Sequence, residues 1–267
     1  MTIRNQLKTL MNYYKNLFNF RGKNVFILGG SGLIGQEVSK AILDLEGRVI
    51  NLDIKNNSKK EDKNYKYQYL NVENVNKLSK KIFSIIKKHG EPNVFINCSY
   101  PKTKDWSKNN FKNISLESFE KNIKIQLNSS CWILRLFAES MVKKKIKGSI
   151  VQLNSIYGLV GQDMNIYKNT NLSESMSYSI IKGGQLNLVR QMASYYGKYN
   201  IRINSICAGG VENKQNKKFI KNYSKKALLK RLAKSSEIAS AALFLSSEAA
   251  SYITGSNLVV DGGWTSI

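Results

Sequence analysis

Two tyrosines in this 267-residue chain are followed four residues later by a lysine: Tyr100/Lys104 in "YPKTK" and Tyr178/Lys182 in "YSIIK". Such a pair could pass a proton to or from a substrate oxygen. A free phenol, with a pKa of about 10, is a poor base near neutrality. An ammonium one helical turn away stabilises the phenolate, and each pKa unit of lowering corresponds to about 1.4 kcal/mol. Spacing alone decides nothing, because 14 tyrosines and 35 lysines give about two such pairs by chance. Context separates them. Tyr178 and Lys182 fall in "SMSYSIIKGGQ", within a helical pattern running from 176 to 199. Tyr100 and Lys104 flank Pro101, which excludes a regular helix interior. That second pair is expected on a loop, where it could line a pocket without forming a dyad.

A second constellation lies near the start of the chain. "FILGGSGLIGQEV" places Gly30, Gly32 and Gly35 in a G-x-G-x-x-G frame, after a short β-rich run and before a helical pattern. One glycine permits the tight turn, one lets backbone approach a pyrophosphate, and one lets the helix pack on the strand. The helix N-terminus then offers free N–H groups and partial positive charge to phosphates. Asp53 ends the next apolar run, 21 residues after Gly32. A carboxylate there accepts hydrogen bonds from adenosine ribose hydroxyls and repels a 2′-phosphate. NAD is therefore expected as cofactor, with Lys55 keeping NADP open.

The elements that must position these residues alternate in type. Strand-like runs occur at 24–28, 48–53, 67–71, 94–97, 149–154, 201–206 and 257–260, with helical patterns at 33–46, 75–89, 116–145 and 176–199. That order implies parallel pairing with right-handed crossovers: an α/β Rossmann fold, a doubly wound sheet of about seven strands covered on both faces. One domain is expected over 21–267, preceded by an N-terminal helical extension over 1–20. In that extension Leu7, Leu10, Met11, Tyr14, Leu17 and Phe18 form a stripe expected to pack on the domain or on a neighbouring subunit.

Composition narrows the function classes. No apolar run approaches the roughly 18 residues that span a bilayer, and the N-terminus lacks a signal-peptide pattern, so a cytoplasmic protein without membrane contact is expected. Cys98, Cys131 and Cys207 are scattered and His89 stands alone, so no metal site is expected. The net charge of +24 invites a nucleic-acid partner, yet the lysines are dispersed and no nucleic-acid-binding motif accompanies them. Nucleic acid is not expected as a partner. A positive field does favour an anionic substrate.

Six ordered landmarks resemble the short-chain dehydrogenase/reductase family. "LGGSGLIG" (28–35) is similar to its glycine motif, and "FINCSY" (95–100) to the segment after its fourth strand, retaining Asn97. "GSIVQLNSIYG" (148–158) is similar to the fifth strand with its serine, here Ser155. "YSIIK" matches Tyr-x-x-x-Lys, "NSICAGGV" (204–211) resembles the segment after the sixth strand, and "YITGSNLVVDGGW" (252–264) the closing strand. The resemblance implies Tyr178 as general acid/base, Lys182 as its tuner and ribose ligand, and Ser155 as hydrogen-bond donor to the substrate oxygen. For the dinucleotide it implies Gly29, Ser31, Gly32, Leu33, Ile34 and Gly35 at the glycine turn. Asp53 and Ile54 follow after the second strand, and Asn71 and Val72 after the third. Asn97, Cys98 and Ser99 come next, then Tyr178, Lys182, Gly209 and Val211. It also implies a homodimer or homotetramer.

Two departures stand out. The amide that holds a relay water in the family falls here on Gln126, with Asn128 as the alternative. From Ser155 to Tyr178 there are 23 residues, longer than in much of the family, and the polar insertion is expected to wall the substrate pocket. A polar wall suits a small hydroxylated substrate. "SIYG" with the segment 210–223 resembles a subgroup that modifies flagellin or surface-polysaccharide sugars of the legionaminic-acid type. The expected activity is NAD(P)-dependent interconversion of a secondary alcohol and a ketone on such a sugar or nonulosonic-acid metabolite. A 3-oxoacyl-carrier-protein reductase-like or polyol dehydrogenase activity remains open, as does a non-catalytic dinucleotide- or nucleic-acid-binding role.

Overall fold

The computed structural model describes residues 13–57 and 62–267. Seven parallel strands form one sheet in the order β3-β2-β1-β4-β5-β6-β7. They are β1 Asn24–Leu28, β2 Arg48–Asp53, β3 Tyr65–Tyr69, β4 Val94–Asn97, β5 Gly148–Ser155, β6 Ile201–Ala208 and β7 Asn257–Val260. The central strands read as unbroken apolar runs because both faces are covered, as parallel sheets require. Helices α1 Leu33–Asp44 and α7 Ser235–Ser246 cover one face, where Val38, Ile42, Ile238 and Ala242 meet Val25, Ile27 and Val151. The other face carries α2 Leu78–His89, α4 Ser129–Lys143 and α5 Met176–Tyr196, which bring Ile82, Phe137 and Val189 onto Phe26, Phe95 and Ile150. Phe137 stacks on Phe95 with ring centroids 4.0 Å apart, fixing α4 across β4.

Strand order reverses between β1 and β4, where Leu28 and Asn97 are register partners. Loops leaving such a switch point diverge to opposite faces and open a crevice at the carboxyl ends of the strands. A third apolar cluster lies outside the two layers. In it the insertion (Ile156, Ile166), helix α6 Lys217–Lys226 (Tyr223) and the C-terminal segment (Trp264) pack together.

Strands β1, β2, β4 and β7 have the expected bounds, the other expected elements shift by one to three residues at an end, and α6 and α7 have no counterpart in the residue pattern. Strand β3 is Tyr65–Tyr69, two residues earlier than 67–71, because its pairing with β2 runs from Val49↔Tyr65 to Asp53↔Tyr69. Leu70 is buried beyond its end and Asn71 turns toward the crevice. The helical region 116–145 is not uniform. It comprises α3 Leu116–Asn122, a π-helical turn Ile123–Asn128 and α4. Of the N-terminal stripe, Leu7, Leu10 and Met11 lie outside the described residues. The turn 13–17 is helical, but Tyr14 is 64% exposed and Phe18 is also exposed, so neither packs on the domain; among the described residues Phe20 is the first in the core. His89 ends α2, with its ring beside Gln68 Oε1 at 3.3 Å.

Candidate active site

A cleft of about 630 Å3 runs along the crevice from the glycine turn to Tyr178. At one end the backbone turns sharply after β1. Gly29 has φ +77°, and a Cβ there would stand 2.8 Å from the backbone of Ser99. At Gly35 a Cβ would lie 2.1 Å from the Gly29 carbonyl, so only glycine lets α1 start against the turn. The residues opening α1, Leu33 and Ile34, with Gly32 before them, line the cleft. Asp53 closes this end: its Oδ2 accepts from Ser31 N at 3.0 Å and its Oδ1 from Ile54 N at 2.7 Å. Asn51, buried on β2, steadies the same turn by donating to Ser31 Oγ at 2.9 Å.

These residues fit a dinucleotide. A close-approach turn lacking side chains, a helix N-terminus and a carboxylate at the end of β2 lie along one cleft wide enough for a ligand of that size. Of the residues expected to bind it, all line the cleft except Gly35 and Asn97. Gly35 lies under the turn. Asn97 is fully buried, accepting from Ser99 N and Ser99 Oγ (3.0 and 2.7 Å) and donating to Gln152 and Ser130. Its position supports the segment after β4 rather than a ligand. Cys98 lines the cleft with its thiol pushed up to about 12 by burial, which makes it inert.

At the other end Ser155, Tyr178 and Lys182 come together. Ser155 ends β5, and its Oγ accepts from Tyr157 N at 3.2 Å, leaving its own proton available. Tyr178 and Lys182 lie one turn apart on α5, with the ammonium 5.5 Å from the Tyr178 ring centroid. Lys182 Nζ reaches Leu153 O and Gln185 Oε1, both at 3.4 Å, and Asn154 donates to the Lys182 carbonyl at 3.3 Å. Burial pushes the Tyr178 phenol up, and Ser155, hydrogen-bonding to it, pulls the other way. This differs from the lowering expected from a lysine neighbour. Burial is the larger effect, and it also holds the Lys182 ammonium down to about 8.

Gln126 is buried in the π-helical turn and Asn128 is exposed. The main-chain carbonyl of Gln126 accepts from Gln185 Nε2 at 3.4 Å, which links this turn to the residue holding Lys182. Its side chain donates to Asn122 Oδ1 at 3.2 Å, and Asn122 donates to Thr103 Oγ1 at 2.9 Å.

Three positions escaped the sequence reading. Asn109 is fully buried: its carbonyl accepts from Met176 N at 2.9 Å and its Oδ1 from Ser177 Oγ at 2.6 Å, so it anchors the start of α5 just before Tyr178. Tyr157 and Trp106 set their rings edge-on to Tyr178, with centroids at 6.4 and 6.3 Å. No periodicity marks any of them, since each acts through a contact between distant segments. Tyr100, expected only to line a pocket, also stands edge-on to Tyr178 at 5.6 Å and lies 5.8 Å from Lys182 Nζ, while Lys104 is exposed.

Comparison with known proteins fits this geometry. A family model described as enoyl-(acyl carrier protein) reductase matches residues 31–265. A short-chain dehydrogenase from Leptospira borgpetersenii, solved with bound NAD+, superposes with a TM-score of 0.85 at 29% identity, covering 93% of this chain and 95% of that one. The chain belongs to the short-chain dehydrogenase/reductase family. It is therefore an oxidoreductase of that family, with the seven-stranded Rossmann sheet its relatives share. The post-translational flagellin modification protein A of Campylobacter coli is 31% identical over 91% of this chain and 98% of its own length. The L-rhamnose-1-dehydrogenase of Scheffersomyces stipitis is 30% identical over 67% of this chain and 66% of its own. Among the described residues, no helix of this short-chain dehydrogenase/reductase is long and apolar enough to cross a membrane.

Proposed function

We propose that this enzyme interconverts a secondary alcohol and a ketone with a nicotinamide dinucleotide, on a sugar or nonulosonic-acid metabolite used in surface glycan synthesis. The observation that carries the reaction is the meeting of Ser155, Tyr178 and Lys182 at one end of a cleft whose other end is the glycine turn. A bound nicotinamide would supply or accept the hydride. Gly29, Gly32 and the N-terminus of α1 would hold the pyrophosphate, and Asp53 the adenosine ribose, which favours NAD over NADP.

Tyr178 gives the proton to the substrate oxygen in reduction and takes it back in oxidation. Its raised pKa keeps the phenol protonated at neutral pH, ready to donate. Ser155, with its oxygen already accepting from Tyr157 N, donates to the same substrate oxygen and fixes its position. Lys182 places positive charge beside the phenolate that forms. The main-chain carbonyl of Gln126 holds Gln185, whose side-chain oxygen accepts from Lys182.

The sugar assignment is supported by likeness to the flagellin-modification protein and the rhamnose dehydrogenase, and by the basic charge, which suits an anionic substrate. The soluble enzyme is expected to act as a homodimer or homotetramer on this small molecule, without nucleic acid or membrane as partner. The test is oxidation of L-rhamnose, N-acetylneuraminic acid, sorbitol and cyclohexanol with NAD+ and NADP+, and reduction of an acetoacetyl thioester. Turnover of a sugar with NAD+ supports the reading, and preference for the thioester replaces the substrate assignment. Asp53→Ala should narrow the preference for NAD+ over NADP+ by about 10-fold or more, since the carboxylate no longer repels the 2′-phosphate.

A further inference from the structure

Lys55, Lys102 and Lys182 all line the cleft. Lys182 gives its ammonium to Leu153 O and Gln185 Oε1, and Lys55 follows Asp53 at the glycine-turn end, its amide donating to Asp53 Oδ1. Lys102 is different. Its ammonium rests 5.2 Å from the centre of the Tyr100 ring, and the same ring meets Tyr178 edge-on at 5.6 Å. Lys102 Nζ therefore stands no farther from the Tyr178 ring than those two lengths together, a span that one charged sugar can bridge. Among the described residues no carboxylate forms an ion pair with Lys102. The nearby acids are engaged or distant in the fold. Asp53 accepts from the amides of Ser31 and Ile54. Asp105, on the same loop as Lys102, is hydrogen-bonded to Thr103 and Ser118. Glu73, the other carboxylate of the cleft wall, follows β3 at the outer edge of the sheet.

The segment that carries this lysine is fastened on both sides. Before it, Tyr100 sets its ring edge-on to both Tyr178 and Trp106. After it, Thr103 is pinned to the fully buried Asn122: its amide donates to Asn122 Oδ1 at 3.3 Å, and its Oγ1 accepts from Asn122 Nδ2 at 2.9 Å. Pro101 stiffens the link between them. Lys102 itself is exposed, so a ligand entering the cleft can reach it. An ammonium resting on an aromatic face keeps donors free for an anion, and the contact leaves less side-chain freedom to lose on binding.

We infer that Lys102 is the anion anchor of the substrate. It takes a carboxylate or phosphate carried by a sugar whose reacting carbon lies at Tyr178. Positive charge in the cleft then has two separate uses: Lys182 serves the phenol, and Lys102 serves the charged end of the substrate. The dinucleotide phosphates are the rival claimants, and in the proposed reading the glycine turn and the N-terminus of α1 hold them. This inference rests on the proposed sugar reading, and its test measures binding rather than turnover.

The test is calorimetric titration of the NAD+-loaded enzyme with N-acetylneuraminic acid, D-glucose 6-phosphate, L-rhamnose and sorbitol. The first two carry a carboxylate and a phosphate, so they tell the two anions apart; the last two are neutral. Lys102→Ala should weaken binding of at least one anionic sugar by about 10-fold, as expected for a lost charge-assisted hydrogen bond, and Lys102→Glu by more. Lys102→Arg should restore it to within about 3-fold, because the positive charge returns. Both neutral sugars should change by less than about 3-fold, and the affinity for NAD+ by less than about 2-fold. The advantage of the wild type over Lys102→Ala should shrink as NaCl rises from about 50 to 500 mM. Equal weakening of charged and neutral sugars, no anionic sugar bound by the wild type, or a loss of NAD+ affinity comparable to the loss for the anions would overturn the inference. Preference for the acetoacetyl thioester in turnover would instead defeat the sugar reading, and the titrations would still report whether Lys102 holds an anion.

Discussion

Tyr178/Lys182 and Tyr100/Lys104 share one spacing, but only Tyr178, Lys182 and Tyr100 line the cleft and Lys104 lies outside it. The first pair lies on a helix locked at its start by Asn109 and along its length by the core, so its lysine must stay beside its tyrosine. The second lies on a loop broken by Pro101. Its tyrosine reaches Tyr178, whereas its lysine points to solvent, and the ammonium beside Tyr100 on that loop belongs to Lys102, 5.2 Å from the ring centroid. What distinguishes the pair proposed for catalysis is therefore the element that carries it. The loop tyrosine becomes a wall, its phenol driven well above its usual range by burial.

Substitutions should separate the two pairs in a set order. Tyr178→Phe is expected to cut kcat by about 10³-fold, the middle of the range for a lost general acid/base. An equally large loss in Tyr100→Phe would erase the distinction. Lys182→Met should lower kcat by about 100-fold and also change how stability depends on pH. The folded ammonium has a pKa lowered from 10.5 to about 8, so between those values the unfolded chain binds the proton more tightly. Wild-type stability therefore rises with pH across that window. The variant lacks that rise, and its melting temperature relative to wild type should be highest below pH 8 and fall as pH approaches 10.5. A difference in melting temperature that does not vary with pH would place Lys182 in contact with water.

Tyr100→Ala, which removes the wall, should raise KM about 10-fold with kcat changed by less than about 3-fold, as lost uniform binding does. Tyr100→Phe should stay within about 2-fold on both parameters, because the ring and not the hydroxyl makes the contact. Lys104→Ala should be indistinguishable from wild type in steady-state kinetics, since an exposed lysine away from the reacting groups contributes little.

The glycine half of the molecule was the more legible in sequence. Its parts act locally: a strand, a turn and a helix start within a dozen residues, and Asp53 ends a strand whose apolar run announces it. The strands 24–28, 94–97 and 257–260 could be bounded to the residue because turn residues or abrupt polarity changes flank them. β3 was misplaced by two residues because Leu70 looks like strand core, although it is buried only after pairing ends. The π-helical turn around Gln126 left no mark in residue type; the structure buries Gln126 and exposes Asn128. The substrate half was the least legible. Asn109 with Ser177, and Tyr157 with Trp264, are matched across 68 and 107 positions of chain, which no local pattern reports.

The measurement that bears most directly on the difference between the two tyrosines is the pH dependence of kcat for alcohol oxidation in the wild type, Tyr100→Phe and Tyr178→Phe. Oxidation needs the phenolate as base, so the rate should climb with pH in the first two along the same limb as Tyr178 loses its proton. Tyr178→Phe should lie far below and show no such limb. A Tyr178→Phe enzyme that keeps the climb, or a Tyr100→Phe enzyme that loses it, would contradict the assignment of proton transfer to Tyr178.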